Sequence, residues 1–175
     1  MFDTRQFRNA LGHFATGVTV VTTLDAERQP VGVTVNSFSS VSLEPPLILW
    51  SLAKKSFSRT AFETHPSFAV HVLAADQEDI SNRFARAGED KFAGVQTRDG
   101  LDDVPVLPGC AAVFECNTEF IHDGGDHIIL VGRVQRFATS ERPPLLFYRG
   151  QYAVPEPEHS SPFSGLMRVM AAATA

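Results

Sequence analysis

Residues 110–137, Cys-Ala-Ala-Val-Phe-Glu-Cys-Asn-Thr-Glu-Phe-Ile-His-Asp-Gly-Gly-Asp-His-Ile-Ile-Leu-Val-Gly-Arg-Val-Gln-Arg-Phe, carry the clearest two-residue period in the chain. Ala112, Phe114, Cys116 and Thr118 fall on one side of an extended strand, and Glu115, Asn117 and Glu119 on the other. His122 to His127 is rich in Gly and Asp and reads as a turn, and residues 128–137 return as a second strand. The expectation is an antiparallel hairpin with an apolar inner face and a polar outer one.

The same pattern recurs on either side. Residues 18–23 (Val-Thr-Val-Val-Thr-Thr) are β-branched, residues 25–29 form a polar turn, and residues 31–35 return, which predicts a second hairpin. Residues 36–42 are serine-rich and interrupt the β pattern, Glu44-Pro45-Pro46 forces an extended turn, and residues 47–52 form a short apolar strand. Residues 67–73 and 145–148 read as further strands. Three helical patterns lie between them. Residues 3–16 place Phe7, Leu11 and Phe14 at helical spacing, with Asp3 or Thr4 as cap and Gly17 as terminator. Ser56 is positioned to cap a short helix ending near residue 64, and residues 76–87 carry Ile80 and Phe84 as an apolar stripe. Residues 88–107 read as loop.

About seven strands with short connections and no βαβ alternation predict a mainly β fold, a closed or nearly closed antiparallel barrel with a few short flanking helices. Residues 1–154 are expected to form one domain, and residues 155–175 an exposed tail with a short helix at residues 163–170.

Composition narrows the function. The net charge of −5 and the lack of a long basic run argue against a nucleic-acid partner. No apolar run approaches the ~20 residues needed to cross a bilayer, and residues 1–8 are polar, so a cytoplasmic protein is expected. Cys110 and Cys116, six residues apart on one predicted strand, read as core thiols and not as a disulfide. Cys116, His122, Asp126 and His127 match no common zinc spacing, so no metal is expected.

Glycine-rich dinucleotide fingerprints, phosphate-binding P-loops and nucleophile elbows are absent from the sequence. Three other features could bind a ligand. Residues 32–46 pack hydroxyls and an amide into one turn, which suits a polar ring edge or a phosphate, although such a loop can also satisfy its own hydrogen bonds. Residues 51–58 (Ser-Leu-Ala-Lys-Lys-Ser-Phe-Ser) put cations beside a strand end and a helix start, where an anion is attracted. Gly125-Asp126-His127 closes a hairpin mouth with no serine or cysteine nucleophile near it in sequence. Basic residues also cluster at Lys54, Lys55 and Arg59 and at Arg83, Arg86 and Lys91, as solvated helix ends or as a hold for a small anion.

Taken together these segments resemble the short-chain flavin reductases, the reductase components of two-component flavin monooxygenases in the FMN-binding split-barrel superfamily. The resemblance runs from Phe7 to Tyr152: residues 7–23 at the start, the loop 34–46, Phe84-Ala85, Asp90-Lys91-Phe92, Gly125-Asp126-His127, Gly132-Arg133-Val134 and residues 144–152. It implies a Greek-key split β-barrel, a homodimer, FMN or FAD as cofactor, NADH or NADPH as reductant and a flavin-dependent monooxygenase as partner. By the same resemblance the isoalloxazine lies against Thr34, Val35, Asn36 and Ser37. The ribityl and phosphate are held by Ser40, Val41, Ser42, Ser51, Lys54 and Ser56, with Phe57 and Phe92 nearby, and His127 and Tyr152 line the nicotinamide side. Hydride would pass between cofactors, so no catalytic side chain is expected. The rival readings are a non-catalytic flavin-binding or sensing protein, a pyridoxine-oxidase-like FMN oxidase, and a β-barrel interaction domain.

Overall fold

The structure is a computed structural model that describes residues 2–88 and 90–156. The expected helix at residues 163–170 and most of the expected tail lie outside the described residues.

The fold is mainly β. Its centre is a seven-stranded antiparallel sheet in the order β3-β2-β6-β9-β10-β5-β4. The strands are β2 (Thr19–Leu24), β3 (Pro30–Val35), β4 (Ser39–Leu43), β5 (Pro46–Ala53), β6 (Ser67–Val72), β9 (Ala112–Gly124) and β10 (His127–Thr139). A second sheet joins β1 (Thr16–Gly17), β11 (Leu146–Tyr148) and β12 (Gln151–Ala153), and β7 (Arg98–Asp99) pairs with β8 (Pro105–Val106). Among the described residues three α-helices flank the sheets: α1 (Thr4–Leu11), α2 (Arg59–Thr64) and α3 (Glu78–Ala85).

Two cores lie on opposite faces of the central strands. Val20 and Ala69 join Phe84, Val104, Leu107 and Leu145 in one cluster, while Val21 and Val70 join Trp50, Phe62, Phe68 and Leu130 in the other. Neighbouring residues on β2 therefore serve different cores, because successive side chains point to opposite faces. That explains why residues 18–23 are apolar or β-branched throughout: every residue of β2 is buried.

His71 is wholly buried in the first core, between β2 and the segment after β8. The Leu107 amide donates to its Nε2 at 3.1 Å, so the ring proton is on Nδ1, which donates to the Val20 carbonyl at 2.9 Å. Burial pushes its pKa down to about 4, so the imidazole is neutral.

The long hairpin reaches further than the sequence suggested. β9 runs to Gly124 and β10 starts at His127, leaving only Gly125 and Asp126 in the turn. Gly125 has φ of +81° at the first turn position, which only glycine adopts without strain. The outer face also differs from the expected solvated one. Glu115 is 4% exposed, because Arg98, Arg136 and the Leu101 amide close over its carboxylate at 2.9, 2.9 and 2.7 Å. Arg136 comes from β10, whereas Arg98 and Leu101 come from residues 98–106, read as plain loop, which hold the β7–β8 pair and a short 3₁₀ turn, Leu101–Asp103.

Other expectations are corrected by capping and pairing. α1 stops at Leu11 and not at residue 16, and Thr16–Gly17 pairs with β11. Asp3 caps α1, its Oδ1 accepting from the amides of Arg5 and Gln6 at 2.9 and 3.1 Å. No residue of α1 is buried, so Phe7, Leu11 and Phe14 do not pack into the core of this chain. The serine-rich stretch contains an edge strand, β4, with a bulge between Ser40 and Ser42. Ser56 does not cap α2: the helix starts at Arg59 after Ser58, and the Ser56 hydroxyl accepts from the Ser58 amide at 3.3 Å. Arg149 and Gly150, both at positive φ, turn the chain into β12, a strand beyond the expected one at residues 145–148. Cys110 and Cys116 are buried free thiols. No helix among the described residues is long and apolar enough to cross a membrane.

Candidate functional site

The two edges of the large sheet, β3 and β4, are joined by residues 36–38, and β3 lies against β5 with no ladder between them. This is the split in the barrel. Ser37 bridges it: its Oγ accepts from the Ser51 amide at 2.9 Å and donates to the Ser51 carbonyl at 3.1 Å. A cleft of about 560 Å³ opens there. It gathers Thr34, Val35, Asn36 and Ser37 from the end of β3, Ser51 from β5, Ser56 from the turn beyond, and His127 from the start of β10. These are seven of the residues that the sequence reading assigns to a ligand, brought together from separate parts of the chain. Val33, Leu52 and Ala53 also line the cleft, and Gly124 and Ile129, which were not foreseen, complete the wall. Gly124 pairs with His127 across the hairpin, and Ile129 lies two residues along β10 on the same face as His127.

A second hollow of about 540 Å³ shares Val33, Ala53 and Ser56 with the cleft and continues it toward α3. Phe57 and Phe92 line it, as do Lys55, Arg86, Asp90 and Lys91. Members of the two basic clusters that are far apart in sequence thus meet here. Lys55 makes no ion pair with any described residue, so its charge is available to an anion. Lys91 is committed to the scaffold: its Nζ donates to the carbonyls of Gly32 and Phe84, both at 3.0 Å, and burial lowers its pKa. Phe92 meets Phe84 edge to face at 4.9 Å. Gly32 is required beneath them, because a Cβ there would stand 2.5 Å from Phe84 Cε1.

Five expected residues line neither space. Ser40, Val41 and Ser42 lie along β4 on the sheet edge, with Val41 at the bulge and 48% exposed. Lys54 turns away because its amide bonds the Asp126 carbonyl at 2.9 Å, and its Nζ meets Asp123 Oδ2 at 2.6 Å. Lys55, its neighbour, faces the hollow instead. Tyr152 is bonded to Ser81 and Asn82 on α3, at 2.7 and 3.0 Å.

The cleft mouth is electrostatically mixed. His127 Nδ1 is 2.7 Å from Asp126 Oδ1, and that contact holds the Asp126 carboxyl below the usual carboxylate range. The Lys54 ammonium, aided by the Gly125 amide, does the same for Asp123. With Nδ1 on Asp126, Nε2 is the His127 nitrogen left to face a ligand. The cleft offers hydroxyls, an amide and one imidazole, with no cysteine or serine–histidine pair for covalent chemistry.

Comparison with known proteins identifies the family. The family described as "Flavin reductase like domain" matches residues 11–155. "FMN reductase (NADH) SmoA" of Agrobacterium fabrum is 51% identical over 150 residues, covering 86% of this chain and 85% of that protein. A "Probable flavin reductase" of Rhizobium meliloti is 48% identical over 155 residues, but the chain spans only 50% of its length. Among solved structures, the nitrilotriacetate monooxygenase component B homologue from Mycobacterium thermoresistibile superposes with a TM-score of 0.86 at 42% identity, over 91% of this chain and 90% of that one. The Streptomyces globisporus NADH:FAD oxidoreductase SgcE6, solved with NAD and FAD fragments, gives 0.84 at 37%, over 89% and 94%. The match over most of the chain, at these identities and with a shared fold, places this protein in the flavin reductase like family.

Proposed function

We propose that the chain is an NAD(P)H:flavin oxidoreductase that reduces FMN or FAD with a nicotinamide coenzyme and supplies the reduced flavin to a flavin-dependent monooxygenase. The observation that carries this reading is the cleft at the barrel split, where the Thr34–Ser37 segment, Ser51, Ser56 and His127 converge. The residues fit a flavin. Hydroxyls and the Asn36 amide suit the polar edge of a heterocycle and a ribityl chain, and the adjoining hollow offers Lys55 for a phosphate with Phe57 and Phe92 for flat contact. The relatives' names, an NADH-dependent FMN reductase and an NADH:FAD oxidoreductase, support the same pair of ligands. Reductase subunit HsaB of a flavin-dependent monooxygenase, 45% identical in Rhodococcus jostii, supports the partner class.

A bound flavin and coenzyme supply the hydride acceptor and donor. The chain's own part is to bind and orient. Ser37, tied to both backbone groups of Ser51, keeps the wall rigid so that two flat ligands can meet in a near-attack arrangement. Asp126 fixes the ring of His127 toward the second ligand. The cleft is open to one side, which suits a flavin that must leave after reduction.

The same proposal includes the finer points. Residues 1–154 act as the catalytic domain in the cytoplasm. The protein is a homodimer, supported by the apolar side chains that this chain leaves uncovered: Phe7, Leu11 and Phe14 near the N-terminus and Leu43 on β4. The test is an anaerobic matrix of FMN and FAD against NADH and NADPH, followed by flavin bleaching. Bleaching that depends on both ligands is expected. Retained flavin that no coenzyme bleaches would favour a sensing module, and oxygen uptake with a pyridoxine-like substrate alone would favour an oxidase.

A further inference from the structure

Ser81 lies inside α3 with 0% exposure and is held from two directions. Its backbone carbonyl accepts from Thr34 Oγ1 at 2.7 Å, and its hydroxyl is 2.7 Å from the Tyr152 hydroxyl. Tyr152 donates in turn to Asn82 Oδ1 at 3.0 Å. A phenol carries one proton. With that proton directed to Asn82, Ser81 Oγ is the donor to Tyr152, and among the described residues no other side chain accepts from it. The ring of Tyr152 packs edge to face on Phe147 at 5.5 Å, so its position comes from the small sheet, β1-β11-β12. A chain of contacts thus runs from the C-terminal strand through one helical residue to Thr34 in the cleft wall.

We propose that Tyr152 is a positioning residue for the flavin side of the cleft, acting on Thr34 through Ser81, and not a contact of the nicotinamide. A helical serine without an outside acceptor turns its hydroxyl back to the carbonyl four residues earlier, here Gln77, and such back-bonding bends helices. Tyr152 prevents this by accepting the hydrogen bond of the Ser81 hydroxyl. The Ser81 carbonyl then stays where Thr34 can reach it, and Thr34 in turn holds the end of β3. The inference rests on the flavin reading above for its ligand, but the contact chain itself does not.

Tyr152→Phe keeps the ring on Phe147 and removes only the hydroxyl. One hydrogen bond's worth of positioning predicts a flavin Kd about three- to tenfold higher by fluorescence titration. The coenzyme KM at saturating flavin is expected to stay unchanged. Thr34→Val should weaken flavin to a similar degree, and the double variant no further than Thr34→Val alone. Ser81→Ala, which keeps the carbonyl and has no hydroxyl to turn back on Gln77, should leave the flavin Kd close to that of the unmodified protein and should restore it when combined with Tyr152→Phe; loss of affinity in Ser81→Ala equal to that in Tyr152→Phe would overturn the proposal. A raised coenzyme KM with unchanged flavin Kd, or additive effects in the double variant with Thr34→Val, would overturn the proposal. Amide hydrogen exchange on flavin-free protein reads the same coupling: residues 34–37 should exchange faster in Tyr152→Phe. If the unmodified protein binds no flavin, the functional reading falls, and unchanged exchange at residues 34–37 would separately sink the positioning role.

Discussion

The Ser37 hydroxyl and the Ser51 backbone form a reciprocal pair across the barrel split, with Ser37 Oγ accepting from the Ser51 amide and donating to its carbonyl. Ser37 therefore spends its hydroxyl on the scaffold and presents backbone to the cleft. Ser37→Ala leaves both groups of Ser51 without this partner, so stability should fall by about 1–2 kcal/mol in urea denaturation. Because the cleft wall loosens with the seam, flavin affinity should fall as well. A variant with unchanged urea midpoint and unchanged flavin titration would show that the seam needs no such bridge.

Lys55 lines the hollow and makes no ion pair with a described residue, while Lys54 beside it pairs with Asp123. Lys55→Gln should weaken FMN by about twofold to fivefold at low salt and leave riboflavin, which lacks the phosphate, unaffected. Raising the ionic strength should shrink the difference, since an exposed charge is screened. Equal losses for FMN and riboflavin would move the phosphate elsewhere.

These two serines and two lysines show what the sequence could and could not reveal. Asn36 and Ser37 stand out within one stretch, because hydroxyls and an amide next to a β-branched strand are a local signal. That Ser37 would face Ser51 depends on β3 and β5 meeting across the split, which no spacing encodes. The choice between Lys54 and Lys55 turns on one backbone bond, from the Lys54 amide to Asp126. The long hairpin was legible from its two-residue period, yet the burial of Glu115 was not, because Arg98 and Leu101, which close over it together with Arg136 of β10, sit on a two-residue strand and a three-residue 3₁₀ turn too short to leave a pattern. β4 escaped because an exposed edge strand needs no apolar alternation. Gly32 was readable in principle: a glycine inside a strand pattern marks a close approach, here that of Phe84.

Burial of His71 makes stability depend on pH. Its pKa is about 4 in the folded protein and near 6.5 when exposed, so between these values the unfolded chain binds the extra proton. Stability is therefore full above pH 6.5 and is lost as pH falls toward 4, by up to about 3 kcal/mol. Glu115 acts in the same sense at lower pH. Burial opposes its charge, but Arg98, the Leu101 amide and Arg136 outweigh that and lower its pKa, so its contribution fades as it protonates. The urea midpoint measured from pH 7.5 to 4 should decline steadily below 6.5. A flat profile over that range would contradict the neutral, doubly bonded imidazole.

His127 stands at the cleft mouth with one ring nitrogen anchored on Asp126 and the other directed to the second ligand. If that ligand is the coenzyme, His127→Ala should raise the KM for NADH by about tenfold, the value of one hydrogen bond near 1.4 kcal/mol, with little change in flavin Kd. Asp126→Asn keeps a hydrogen-bonding group beside the ring but withdraws the charge, so it should raise the same KM by a smaller factor. Steady-state kinetics at saturating flavin separate the two constants. The opposite outcome, a loss of flavin binding with NADH use intact, would put the imidazole on the flavin side and require the coenzyme to enter from the hollow lined by Phe57 and Phe92.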